Sequence, residues 1–286
     1  MAPRTRCDGG SSAMKAFVRI QGGLGNQLFQ VAMAARLEEL GYSVSLLHLQ
    51  NPNDTQREFQ PEVEDGWRVA TCNALLRWPV IRVFSIARRL PRIPFVLHSK
   101  ELPRSVAAAR LPVVADGYFQ SSANALSYIR STRGEWLRQK VLQSSQEGTL
   151  AMHIRLGDYR TNPEVAIALG TLDANYFLRA RMEVQKHAVI RNVVIFSDEP
   201  EFAEKMLGDL GMPTSYKVAS SSPIDDLVSI ASHQYLVLSN STYSAWAAYL
   251  AESVHDHVVV IAPSAWIRQR PNAIDMVRTD RWKVID

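Results

Sequence analysis

The chain has 286 residues, 47% hydrophobic and 21% charged, enough apolar material for one large core or two ordinary ones and nothing of the composition of a disordered protein. The net charge of +4 and the pI near 9.1 suit a phosphate-bearing partner, but the basic residues are dispersed, which argues against nucleic acid. Two cysteines, Cys7 and Cys72, stand in no metal-ligand spacing and argue against a disulfide framework.

Residues 1–13 read as a disordered tail without the apolar segment of a secretory signal. No run approaches the ~20 consecutive apolar residues of a membrane span, so the expected location is cytoplasmic. Met14 to Ile20 then reads as a strand, Gly22-Gly23-Leu24-Gly25 breaks it, and Asn26 to Leu40 carries Leu28, Val31 and Ala35 at helical spacing before Gly41. Tyr42 to Leu49 reads as a second strand, which completes a βαβ unit of a parallel sheet.

Between Leu75 and Phe95 apolar residues alternate with Arg77, Arg82, Arg88, Arg89 and Arg92, and Pro79, Pro91 and Pro94 interrupt the run. Such a stretch either touches an anionic membrane surface peripherally or packs as short helices with solvated arginines; the prolines favour packing. Ser121 to Leu142 reads as one helix, and Ser144 to Gly148 as a linker between an N-terminal domain, 14–147, and a C-terminal domain, 148–286. Beyond it, strands at 149–155, 192–197, 234–239 and 257–262 alternate with helices at 173–187, 200–210, 224–233 and 241–254, a Rossmann-type pattern.

The two-residue period of the first of these strands puts Leu150, Met152 and Ile154 on one face and His153 with Arg155 on the other. Ligands of open parallel sheets bind beyond the carboxyl ends of the strands, where an arginine fork suits a diphosphate; an ion pair with Asp158 is the structural alternative. Asp198 and Glu199 open a helix after Ser197, where capping accounts for Ser197 or Asp198, and Ser239-Asn240-Ser241-Thr242 opens another, as a helix cap or as an anion site. The glycine turn fails as a dinucleotide fingerprint because Leu28 occupies the third glycine position, but it still allows close backbone approach to a ligand.

Together, Gly22-Gly23-Leu24-Gly25-Asn26-Gln27-Leu28-Phe29-Gln30, the run from His153 to Tyr159, Phe196-Ser197-Asp198-Glu199 and the run from Ser239 to Trp246 resemble the α-1,2-fucosyltransferase family. Gly117-Tyr118-Phe119-Gln120-Ser121 and Val260-Ile261-Ala262-Pro263 fall in the family's order as well, so the resemblance spans about residues 15–266. It implies an α/β protein of GT-B type, two facing Rossmann-like domains with the site between them. It further implies GDP-fucose as donor, inversion at the anomeric carbon, no cofactor and no metal. The acceptor is then a galactose-containing glycan, with transfer to the 2-hydroxyl.

The same resemblance assigns Arg155 to the β-phosphate, His153 to the nucleoside, and Asp226, with Asp225 as rival, to guanine. Asn26 faces the sugar diphosphate. Gly23, Gly25, Asp198, Ser239, Asn240, Ser241 and Thr242 complete the expected donor site, and Arg155, His153 and Asp158 the expected catalytic set. The proton acceptor stays open among His153, Asp158 and Glu199. Two departures stand out: Leu156 replaces a second arginine, and Ala245-Trp246 replaces a tryptophan pair. A transferase using another nucleotide sugar, and a binding module without turnover, are the competing readings.

Overall fold

The computed structural model describes residues 14–49, 63, 66–72, 96–98, 112–144, 146–157, 162–208, 215–216 and 222–286. The tail at 1–13, the whole of the arginine-rich Leu75–Phe95 stretch and Asp158 lie outside these residues.

The first half forms a parallel sheet from β1 (Met14–Ile20), β2 (Tyr42–Leu49), β3 (Arg68–Cys72), β4 (Val96–Leu97) and β5 (Val113–Ala115), in the order β3-β2-β1-β5-β4. Alternation in β1 sends Ala16, Val18 and Ile20 into the core. The crossover helix α1 (Leu24–Glu39) has twelve buried residues among its sixteen, so it is covered on nearly all sides rather than along one stripe.

Two helices follow, α2 (Ser122–Arg130) and α3 (Glu135–Leu142), where the sequence suggests one. The break has a steric cause. At Gly134 the chain folds back so tightly that a Cβ there would lie 2.2 Å from the Tyr128 carbonyl oxygen.

The second half is a six-stranded parallel sheet in the order β11-β10-β9-β6-β7-β8, built from β6 (Gln146–Ile154), β7 (Asn192–Ser197), β8 (Ser215–Tyr216), β9 (His233–Val237), β10 (Val259–Pro263) and β11 (Trp282–Ile285). Its helices are α4 (Pro163–Leu169), α5 (Ala174–Gln185), α6 (Pro200–Gly208), α7 (Pro223–Ala231), α8 (Thr242–Val254) and α9 (Ile274–Val277). Caps set several starts: Asp173 accepts from the Tyr176 amide, Ser222 from Asp225 and Ser241 from Tyr243. The segment read as a linker is partly strand, since β6 begins at Gln146 and absorbs Gly148, at φ +70°, where its register against β9 shifts. No helix among the described residues is long and apolar enough to cross a membrane.

Strand order reverses between β1 and β5 in the first sheet and between β6 and β9 in the second, and such reversals open a crevice at the strand carboxyl ends. The two sheets meet through α1 and α8. Phe29 of α1, Tyr128 of α2 and Trp246 of α8 pack edge to face, with ring centroids 5.3 and 6.0 Å from Trp246. Trp246 is therefore a core residue, fully buried. In the first turn of α1, a Cβ on Gly25 would sit 2.5 Å from the Tyr243 amide nitrogen and 2.6 Å from the Thr242 carbonyl carbon.

This contact yields a test of sign. Helix propensity alone would make Gly25→Ala stabilising by about 1 kcal/mol. The backbone collision should reverse that to a loss of roughly 1–3 kcal/mol in urea unfolding, whereas Gly23→Ala, with open space around its Cβ position, should change stability by less than about 1 kcal/mol.

Candidate active site

At the β6/β9 reversal the chain leaves β6 with unpaired backbone groups, and Ser239 answers two of them. Its hydroxyl donates to the His153 carbonyl at 2.6 Å and accepts from the Arg155 amide at 2.9 Å. Asp198, arriving at the end of β7, accepts from the Leu156 amide at 2.9 Å and pairs with Arg155 Nη1 at 2.8 Å. The carboxylate has room because residue 157 is glycine: a Cβ there would lie 2.5 Å from Asp198 Oδ2.

The alternation read from the sequence is realised. Leu150, Met152, Ile154 and Leu156 enter one apolar cluster, so the leucine that departs from the family pattern is core. His153 takes the opposite face and is buried against α8; its Nδ1 shares a hydrogen bond with Ser244 Oγ at 2.5 Å, and its ring lies 5.3 Å from that of Tyr243. Burial, reinforced by the Arg155 charge and opposed by Asp198, pushes the His153 pKa down to about 4. The imidazole is neutral at pH 7 and a weak base, which counts against a proton-accepting role.

The serine-rich turn divides its labour. Asn240 donates from Nδ2 to the Leu169 and Gly170 carbonyls at 3.0 and 3.2 Å and closes the end of α4, while Ser241 caps α8. Ser239, Asn240 and Ser241 thus direct side-chain hydrogen bonds to protein, and an anion here would meet the first-turn amides of α8 and the Thr242 hydroxyl. Tyr243 donates its hydroxyl to the Pro223 carbonyl at 2.6 Å, tying α8 to the start of α7. Burial raises the Tyr243 pKa, and the Asp226 charge raises it further; Asp225 instead faces Lys140 at 3.6 Å. Among the described residues no group of three His, Cys, Asp or Glu side chains converges as a metal site.

At the β1/β5 reversal buried glutamines of α1 do the work of Ser239. Gln30 accepts from the Gln21 amide at 2.8 Å and donates to the Gly117 carbonyl at 3.2 Å, and Gln27 donates to the Gly22 carbonyl at 2.8 Å. Asn26 Oδ1 accepts from Gln120 Nε2 at 3.1 Å. Ser244, Tyr243 and the glutamine lattice were not singled out by sequence reading; their positions within the matched motifs were the available signal.

Two Rossmann-like sheets, each with a polar site at its reversal point, define an α/β protein of two-sheet type. Residues 113–284, more than half of the chain, match Glycosyl transferase family 11. The chain belongs to that family, the one to which its motifs point. It is 28% identical over 122 residues to the O-antigen biosynthesis glycosyltransferase WbnK of Escherichia coli, a stretch covering 41% of this chain and 39% of that protein. Over 285 aligned residues, 90% of this chain and 94% of the relative, it is 23% identical to an alpha-1,2-colitosyltransferase of Escherichia coli. Among solved structures it resembles an Arabidopsis thaliana FUT1 mutant in complex with GDP, with a TM-score of 0.47 and 13% identity over 85% of this chain and 69% of that one.

The depressed His153 pKa carries a pH dependence. Unfolded histidine titrates near 6.5 and the buried one near 4, so the neutral form's contribution to stability is complete above about pH 6.5 and is lost as pH falls through about 4. The difference corresponds to roughly 3 kcal/mol. Urea midpoints measured from pH 7 to 4 should fall steeply for the native chain and less steeply for His153→Gln.

Proposed function

We propose that this chain is an inverting glycosyltransferase that moves L-fucose from GDP-β-L-fucose to the 2-hydroxyl of a terminal galactose in an acceptor glycan. The observation that carries the reading is Arg155, delivered by β6 to the reversal point and aligned by Asp198. Departure of GDP builds negative charge on the β-phosphate and positive charge on the sugar, and a fixed guanidinium at the leaving group stabilises that state more than the ground state. The amides at the start of α8 and the Gly22–Gly25 turn add partial positive charge. His153 supports Arg155 from behind as a neutral packed ring. The acceptor's proton then goes to a carboxylate, with Asp158 and Glu199 as candidates. Asp226, in the first turn of α7, reads guanine, since a carboxylate accepts from both N1–H and N2–H.

No metal or cofactor is required in this mechanism. In each acidic pair that would serve a cation, one carboxylate is engaged with a cationic side chain, Asp198 with Arg155 and Asp225 with Lys140. The donor and the glycan are the partners, and work takes place in the cytoplasm, with the arginine-rich Leu75–Phe95 stretch as the part suited to an anionic membrane surface.

A second reading keeps the machinery and changes the sugar, because the relative that matches nearly the whole chain is an alpha-1,2-colitosyltransferase. Turnover of GDP-fucose against GDP-colitose with a galactose-terminated acceptor decides between them, and thermal shifts with GDP, UDP and ADP test the base. Transfer from UDP-sugars alone would overturn both.

Within this reading Arg155→Lys should lower kcat about 10²–10³-fold with little change in thermal stability, since lysine keeps the charge but not the two-pronged geometry. Activity should survive exhaustive EDTA treatment. Complete loss restored by magnesium or manganese would instead put a cation on the acidic residues.

A further inference from the structure

The loop after β5 holds its backbone in an unusual state. Phe119 has φ +50°, the only positive φ of a non-glycine residue among those described, and its ring is buried. That conformation costs of order 1–3 kcal/mol and persists only where the surroundings enforce it. Here they do: Gln30 holds the Gly117 carbonyl, and Gln120 is tied to Asn26 across the β1/β5 reversal.

The result is that Phe119 turns inward and Tyr118, next to it, turns outward with 46% of its surface exposed. Its ring faces the glycine turn. At Gly22, which has φ +80°, a Cβ would meet the Asn26 side-chain amide at 3.0 Å and Tyr118 Cε1 at 3.4 Å. Glycine leaves a gap there, bounded by an open aromatic ring and a primary amide. A single exposed aromatic residue is ordinary. One fixed by a strained, hydrogen-bonded loop and set beside a half-buried Asn–Gln amide pair is not.

This combination fits a hexose. Amides hydrogen-bond sugar hydroxyls in either sense, and an aromatic face packs on the patch of C–H groups that a pyranose presents. Galactose is the best match among common hexoses, since its axial 4-hydroxyl leaves the hydrogens on C3, C4 and C5 together on one face. The position favours acceptor over donor. The ring belongs to the first sheet's reversal point, whereas Arg155 and Asp226 belong to the second sheet's half; the backbone of the Gly22–Gly25 turn stays with the donor diphosphate, and the Asn26 side chain, tied to Gln120, is reassigned here from the diphosphate to the acceptor sugar.

We propose that Tyr118, flanked by Asn26 and Gln120, is the stacking platform for the acceptor's terminal galactose and a determinant of acceptor specificity. The proposal rests on the transferase reading above and adds its acceptor subsite. The test compares native chain, Tyr118→Ala and Tyr118→Phe with lactose as acceptor and GDP-fucose as donor. Tyr118→Ala should raise the lactose KM about tenfold and Tyr118→Phe less than about threefold. GDP-fucose hydrolysis without acceptor, and the thermal shift given by GDP, should stay at native values in both.

An unchanged lactose KM in Tyr118→Ala overturns the platform. So does parallel loss of hydrolysis and GDP binding, which would put the ring on the donor. Saturation-transfer NMR with methyl β-galactoside reads the platform without turnover: signal on H3, H4 and H5 should be present with the native chain and lost in Tyr118→Ala. If no nucleotide sugar is turned over but that pattern holds, the reaction falls and the sugar subsite stands. If turnover holds and no such pattern appears in the native chain, the subsite falls.

Discussion

A parallel sheet ends in unpaired amides and carbonyls at the very edge where its ligand binds, and burying them without partners would cost several kcal/mol each. The organisation of this site follows from how that demand is met. At the end of β6, one serine hydroxyl and one carboxylate serve the groups from His153 to Leu156. At the ends of β1 and β5, glutamines reaching back from α1 serve Gln21, Gly22 and Gly117. Side chains that look like ligand contacts in the sequence are in several cases the residues that fix the strand ends in place. The groups proposed above to meet the ligands, the Arg155 guanidinium, the first amides of α8 and the ring of Tyr118, stand on the frame that these side chains fix.

Arg155 illustrates how orientation and chemistry share a residue. Its pair with Asp198 is partly solvent-exposed and contributes little to folding on that account. Its value is geometric. Asp198 is itself pinned by the Leu156 amide, so the guanidinium is aligned by a carboxylate that is fixed in its turn, and the missing side chain of Gly157 is the space that carboxylate occupies.

Much of this was legible in the sequence because parallel strands and their crossovers write a strong pattern. The period-two alternation through 150–155 assigned His153 and Arg155 to one face, and the same period carried one residue further puts Leu156 in the core, where it lies. What stayed hidden depended on distance in the chain. Nothing local reports that Ser239 will bridge His153 and Arg155, or that Asp198, more than forty residues on, will pair with the arginine. The break between α2 and α3 was missed because Gly134 reads as tolerable inside a helix until the Tyr128 carbonyl is known to lie against it. Gln27 and Gln30 are equally opaque: polar residues on a helix are normally solvated, and only the covering of α1 by the second half of the chain turns them into buried hydrogen-bonding groups.

The aromatic contact between α1, α2 and α8 has a consequence for how the molecule comes together. One continuous apolar cluster includes Val18, Phe29, Ile129 and Leu137 from the first half and Leu236, Trp246, Tyr249 and Trp282 from the second. The second half closes one face of its own sheet, around Leu150, Met152 and Ile154, but this shared cluster is completed only by both halves together. A chain cut between α3 and β6 would leave Phe29 and Tyr128 without Trp246, and α1 with polar and apolar faces alike stripped of cover, so each fragment would be prone to aggregate on its own. The two sheets are thus separate as architecture but joined as a folding unit, and the described halves should lose their structure in a single cooperative transition.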